Sequence, residues 1–152
     1  MTRLLGIDLG DVRIGLALGD APDGPVFPYA TILRARTVAA DAAALRAIIE
    51  REGIDEVVLG LPLDFGGAEG RQAAATREWG TAIADAIGVP VVYRDERLTS
   101  ELAAQWIGPM KRGRSGGPPT AAQRRAYRAR LDREAAAIIL RDEIAARSGS
   151  DT

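Results

Sequence analysis

The chain has 152 residues, 20 Lys and Arg against 21 Asp and Glu, a net charge of −1, and neither His nor Cys. That length suits one domain with a full-sized core, and 47% apolar with 27% charged residues is an ordinary globular composition. No apolar run approaches the roughly 18 residues of a membrane span, and without His or Cys no familiar nucleophilic triad can be built. The start lacks the pattern of a signal peptide. With Met1 read as the native start and no Cys to oxidise, a cytoplasmic location is expected.

The elements can be read in chain order. Residues 3–9 and 12–19 are apolar runs around Gly10-Asp11 and predict a β-hairpin. A third strand is expected within 26–33, with Pro28 pushing it toward a sheet edge. Thr37 to Glu52 reads as a helix with Leu45, Ile48 and Ile49 as its stripe and Gly53 as its stop. Glu56 to Leu61 suits a buried parallel strand. The Gly66-Gly67-Ala68-Glu69-Gly70 stretch is either a phosphate-facing loop or a plain turn. A helix from Arg71 to Ile87 carries Trp79, Ile83 and Ile87 on one face, and Val89 to Tyr93 reads as another buried strand. Thr99 or Ser100 can cap a helix to about Ile107. Gly108 to Pro119 reads as a mobile loop, and a last helix spans about Ala121 to Ala146. Trp79 and Trp106 are both expected in the core. A β-meander feeding βαβ units gives an α/β fold with a mixed five-stranded sheet and helices on both faces. One domain is expected over 1–147, with 148–152 a frayed tail.

Charge is unevenly spread. Lys111 to Arg133 holds eight basic residues and one acid, Asp132, so that window is +7 and the remainder −8. A basic stripe on an acidic body points to a polyanionic partner. The alternative is a solvated helix face.

Three acids are oddly placed. Asp8 closes the first apolar strand, where a buried charge costs several kcal/mol unless paired. Glu96, beside Asp95, follows the last strand, and strand C-termini are where sites gather in open α/β sheets. Asp132 lies seven residues before Ile139, on the apolar side of its helix. A turn-closing Asp8, a solvated Asp95-Glu96 pair and an Arg128–Asp132 ion pair are the plain readings of each alone. Together, three converging carboxylates would repel one another unless a divalent cation such as Mg²⁺ or Mn²⁺ sat among them. Because extended residues alternate faces, only one of Asp95 and Glu96 should point toward Asp8, and spacing does not choose between them.

Gly6-Ile7-Asp8-Leu9-Gly10-Asp11-Val12-Arg13-Ile14-Gly15-Leu16-Ala17 resembles the opening of the YqgF/RuvX family. Val58 to Leu63, Asp95 to Ser100, and Leu131 to Leu140 resemble its later blocks, in order and across nearly the whole chain. Asp64 stands where the family commonly has Asn, and the stretch before Asp132 is longer and richer in Gly, Pro and Arg than the family's. The resemblance implies an RNase H-like fold and a nuclease that resolves Holliday junctions in DNA or matures the 5′ end of 16S rRNA. It also implies Asp8, Glu96 and Asp132 as catalytic metal ligands, with Asp95 a possible secondary acid.

The expectation is a divalent-metal-dependent endonuclease that hydrolyses phosphodiesters of structured nucleic acid. One or two Mg²⁺ or Mn²⁺ would supply the nucleophile without His, about 4 Å apart if two. Arg13, Arg97, Lys111, Arg112, Arg114, Arg124 and Arg128 are the expected phosphate contacts, with Arg124, Arg125 and Arg128 as the alternative surface. Paired cuts across a four-way junction would need two active sites, hence a possible homodimer, and no membrane is involved. Two other readings stand: a non-catalytic nucleic-acid or ribosome-binding factor, and an actin-like nucleotide-binding domain suggested by Asp8-Leu9-Gly10.

Overall fold

The structure, a computed structural model, describes residues 1–63, 69–96, 99–113 and 115–149. Strands β1 (Thr2–Leu9), β2 (Arg13–Ala21) and β3 (Val26–Leu33) form an antiparallel meander. Helix α1 (Val38–Glu52) leads to β4 (Glu56–Pro62), and α2 (Arg71–Ile87) leads to β5 (Val91–Glu96). Helices α3 (Thr99–Ile107) and α4 (Ala121–Gly149) complete the order. The sheet runs β3-β2-β1-β4-β5, with β1, β4 and β5 parallel. No helix among the described residues is long and apolar enough to cross a membrane.

Each face of the sheet has its own core. Leu5, Ile7, Leu16, Val57 and Leu59 meet Leu45, Ile49, Trp79 and Ile83 from α1 and α2. The opposite face packs on α4: Leu4, Ala17 and Val58 cluster with Ala136, Ala137, Ile139 and Leu140. This parity explains the sequence pattern, since alternate strand residues face opposite layers.

Local chemistry sets the helix ends. Thr37 accepts the Ala40 amide at 3.1 Å as N-cap of α1, and Gly53 closes it at φ 65, donating to the Ile49 carbonyl. Asp41, only 2% exposed, is satisfied by the Ala35 amide at 2.7 Å and the Trp79 indole at 3.1 Å. That link ties α1 to α2 through a buried carboxylate.

Four readings change. The last strand runs to Glu96, because β4 continues to pair with it at Gly60↔Arg94, Leu61↔Asp95 and Pro62↔Glu96. As the edge strand it is only half-buried. Trp79 is core at 4% exposure, but Trp106 is 74% exposed. The loop read as mobile is held onto α4: Gln123 donates to the Arg112 carbonyl at 3.0 Å and Tyr127 to the Gly108 carbonyl at 2.8 Å. Thr120 and Gln123 form a reciprocal capping box at 2.8 and 3.1 Å, a T-x-x-Q signal present in the sequence. α4 also continues to Gly149, past the expected fraying point, because Arg147 pairs with Glu56 at 2.6 Å and Glu143 at 2.7 Å.

Glycines let α4 approach the sheet. A Cβ at Gly6 would stand 2.8 Å from the Ala136 carbonyl oxygen, and one at Gly15 would overlap the Asp132 carbonyl. Because backbone cannot swing aside as a side chain can, Gly15→Ala should lift α4 and cost about 1–3 kcal/mol. Chemical denaturation checks this, and an unchanged midpoint would show that α4 shifts freely.

Candidate active site

Strand parity brings two of the three acids together. Gly6 pairs with Val58 and Val58 with Val92, so Asp8, two residues past Gly6, and Glu96, four past Val92, share the face beneath α4. Asp95 pairs with Leu61 on the other parity and is exposed. Asp8 and Glu96 line one cavity of about 170 Å³ with Pro62, Gln72, Thr99 and Glu101.

Neither acid is comfortable. Burial pushes the Asp8 carboxyl up to about 6, and the nearby negative charge of Asp132 adds to it. Burial likewise pushes Glu96 up to about 7, reinforced by the Asp142 carboxyl within hydrogen-bonding reach. The Thr99 hydroxyl, donating to Glu96 Oε2 at 3.0 Å, and the Arg94 guanidinium act in the opposite direction. Glu96 Oε1 is buried without a hydrogen-bond partner among the described residues. Arg94 Nε forms an ion pair with it at 3.8 Å and likewise makes no hydrogen bond among the described residues.

Asp132 is close enough to act on Asp8 but is engaged elsewhere. Its Oδ2 accepts from Arg13 Nε at 2.6 Å, not from Arg128 one turn away. No three acids among the described residues are grouped so as to cage a metal ion. What is assembled is a pair of hard oxygen donors facing one cavity, one of them with an unsatisfied oxygen. That suits a hydrated Mg²⁺-like ion, which commonly takes one or two protein carboxylates and keeps several waters.

The basic residues are dispersed. Arg124, Arg125 and Arg128 are exposed on the first turns of α4, where Arg124 donates to the Pro119 carbonyl at 2.7 Å. Arg112 donates to the Gly116 carbonyl at 3.2 Å, and Lys111 lines a groove with Arg130 and Arg133. Asp64, Arg97 and Arg114 lie outside the described residues, as do Gly66-Gly67-Ala68 and the end of the expected tail, 150–152. Glu69, just past the Gly-rich stretch, is bound to Arg77 through Nε at 2.9 Å.

Sequence reading missed Asp142, Thr99 as the group holding Glu96, and Glu101 in the cavity. Asp142 had a signal, since it lies three residues past Ile139 and so on a neighbouring part of the same helix face. Thr99 and Glu101 had only helix-start signals, which say nothing of a cavity.

The sheet order, the parity of Asp8 and Glu96 and α4 across them define an RNase H-like nuclease fold. Thermus thermophilus RuvC, solved with a Holliday junction substrate, superposes with a TM-score of 0.54 over 98% of this chain and 97% of that one, at 15% identity. Residues 2–146 match the RuvX family, described as Holliday junction resolvase, and the chain belongs to that nuclease family. A relative from an Anaeromyxobacter species (strain Fw109-5) is 39% identical over 138 residues, 91% of this chain and 93% of its own. One from Moorella thermoacetica is 41% identical over 103 residues, 68% of this chain and 73% of its own. Both are provisionally named pre-16S rRNA nuclease.

The raised Asp8 carboxyl has a stability consequence. The unfolded carboxyl ionises near 3.8 and the folded one near 6, so the folded state binds the extra proton between them. Stability therefore falls as pH rises through that window and stays lower above it. With chelator present, Asp8→Asn should stabilise the fold by about 1–3 kcal/mol at pH 8 and leave it nearly unchanged at about pH 3, below the unfolded value. Thermal melts at the two pH values check this, and destabilisation at pH 8 would mean that Asp8 has a favourable partner.

Proposed function

We propose that this chain is a divalent-metal-dependent endonuclease in which Asp8 and Glu96 hold the metal and Asp132 completes the set on leaving Arg13. The observation that carries this reading is the shared cavity of Asp8 and Glu96 with its unsatisfied Oε1. A bound Mg²⁺ or Mn²⁺ supplies an activated water and neutralises charge developing on the phosphate. Thr99 fixes the Glu96 carboxylate through Oε2 and leaves Oε1 for the ion. Arg13 holds Asp132 beside the site through Oδ2 and would be placed to meet a phosphate if Asp132 turned toward a bound ion. Asp95, on the opposite parity, takes no part. Lys111, Arg112, Arg114, Arg124 and Arg128 track the backbone, with Arg97 close in sequence to Glu96.

The substrate we favour is the 5′ end of precursor 16S rRNA, on the strength of relatives that match most of this chain. The four-way DNA junction is the second reading, supported by the family description. A side-by-side cleavage assay on both, with Mg²⁺ or Mn²⁺, separates them. Asp8→Asn and Glu96→Gln should each lower cleavage by at least about 10²-fold, the scale of removing a charge-stabilising group, while Asp95→Asn stays near wild type. Active Glu96→Gln with dead Asp95→Asn would reverse the pair. Neutralising Lys111, Arg112 and Arg114 together should weaken binding across sequences. It should also flatten the salt dependence by up to about 0.9 log unit for each duplex-DNA phosphate no longer neutralised. Unchanged slope and affinity would move the binding surface to Arg124, Arg125 and Arg128.

A further inference from the structure

Trp106 is 74% exposed near the end of α3, and Leu102 one turn earlier is 47% exposed. With Gln105, Ile138 and Arg141 they line an open, mostly apolar groove of about 350 Å³ between α3 and α4. The same two helices wall the carboxylate cavity: Thr99, Glu101 and Ile139 face that cavity, while Leu102, Trp106 and Ile138 face the groove. Thr99 and Trp106 are about 10 Å apart along the helix axis. A strand with a phosphate at Asp8 and Glu96 therefore has flanking nucleotides within reach of the groove.

The groove pairs an exposed indole face with one cation. Arg141 is exposed and makes no hydrogen bond or ion pair among the described residues. Lys111, Arg130 and Arg133 lie on the adjoining groove of α4. A flat apolar platform beside a free guanidinium complements a flat aromatic group that carries a negative charge. An unpaired nucleobase with its phosphate has that chemistry, whereas a duplex presents only base edges and backbone. A second copy of this chain is a poorer match. Two exposed apolar side chains flanked by Gln105 and Arg141 fall far short of the roughly 800 Å² per partner of a standard interface.

We propose that Trp106 is a stacking platform for an unpaired base flanking the scissile phosphate, with Arg141 holding that nucleotide's phosphate. The inference rests on the nuclease reading and adds to it a requirement for single-stranded character next to the cut.

The test is equilibrium binding of the full chain in chelator, which prevents cleavage. The probes are a single strand of about 12 nucleotides, the same strand with abasic sites, and the blunt duplex. Trp106→Ala should weaken single-strand binding by about 5- to 150-fold, the range of one base–aromatic stack, and change duplex binding by less than about twofold. Trp106→Phe should recover most of the affinity, and the abasic strand should bind wild type and Trp106→Ala alike. Arg141→Gln should weaken the single strand and its abasic form equally. Wild-type single-strand affinity in Trp106→Ala, or equal losses on both probes, overturns the inference. A dimer that Trp106→Ala converts to monomer in sedimentation, with nucleic-acid binding intact, assigns the groove to a second copy instead. If wild type binds none of the probes either in chelator or with Ca²⁺, an oxygen-coordinated cation that would offset the carboxylate charge, the nuclease reading fails first.

Discussion

The close approach of α4 to a floor of small residues is the constraint on which the rest depends. Gly6, Gly15 and Gly60 have no Cβ, so Leu140, the Asp132 carbonyl and Ile139 occupy that space. At this separation Asp132 stands beside Asp8, and Asp142 stands beside Glu96. A helix held one methyl group farther away would leave the same acids solvated and apart. The packing that builds one of the two cores thereby also concentrates negative charge at the C-terminal ends of β1 and β5.

That concentration works against folding. Burial and like charge raise both Asp8 and Glu96 far above the ordinary carboxylate range. The fold compensates in part, with Arg13 on Asp132, and Thr99 and Arg94 against Glu96. The compensation is incomplete at Glu96 Oε1, which has the Arg94 ion pair at 3.8 Å but no hydrogen bond among the described residues. Such a residue of unmet electrostatics in a cleft is the usual physical mark of a functional site. It also fits hydrolysis by a chain without histidine, since a cation held there would relieve the repulsion and could supply an activated water.

Much of this was legible in the sequence. Strand–helix order, the Gly53 stop and the Trp79-Ile83-Ile87 stripe followed from local rules, and the structure places them as read, with Thr37 becoming the cap of α1 instead of its first helical residue. Asp8 and Asp132 stood out because a charge sat within an apolar pattern. The choice between Asp95 and Glu96 was open to the family resemblance but not to spacing, because face depends on where β5 pairs with β4, and that pairing extended the strand by three residues. The Arg13–Asp132 bridge spans 119 residues, and no local signal foretells it. Trp106 was misread because an aromatic at helical spacing looks like core, and only the docking of α3 on α4 shows which side stays open.

The central claim is that Asp8 and Glu96 form one cation site whose filling frees Asp132 from Arg13. The most direct measurement is a crystal structure grown with Mn²⁺ and read by its anomalous signal. The expected result is a Mn²⁺ peak in contact with both Asp8 and Glu96 Oε1, with Asp132 turned toward it and the Arg13 bridge broken. A peak elsewhere, or Mn²⁺ bound without Glu96 while Asp132 stays on Arg13, would contradict it.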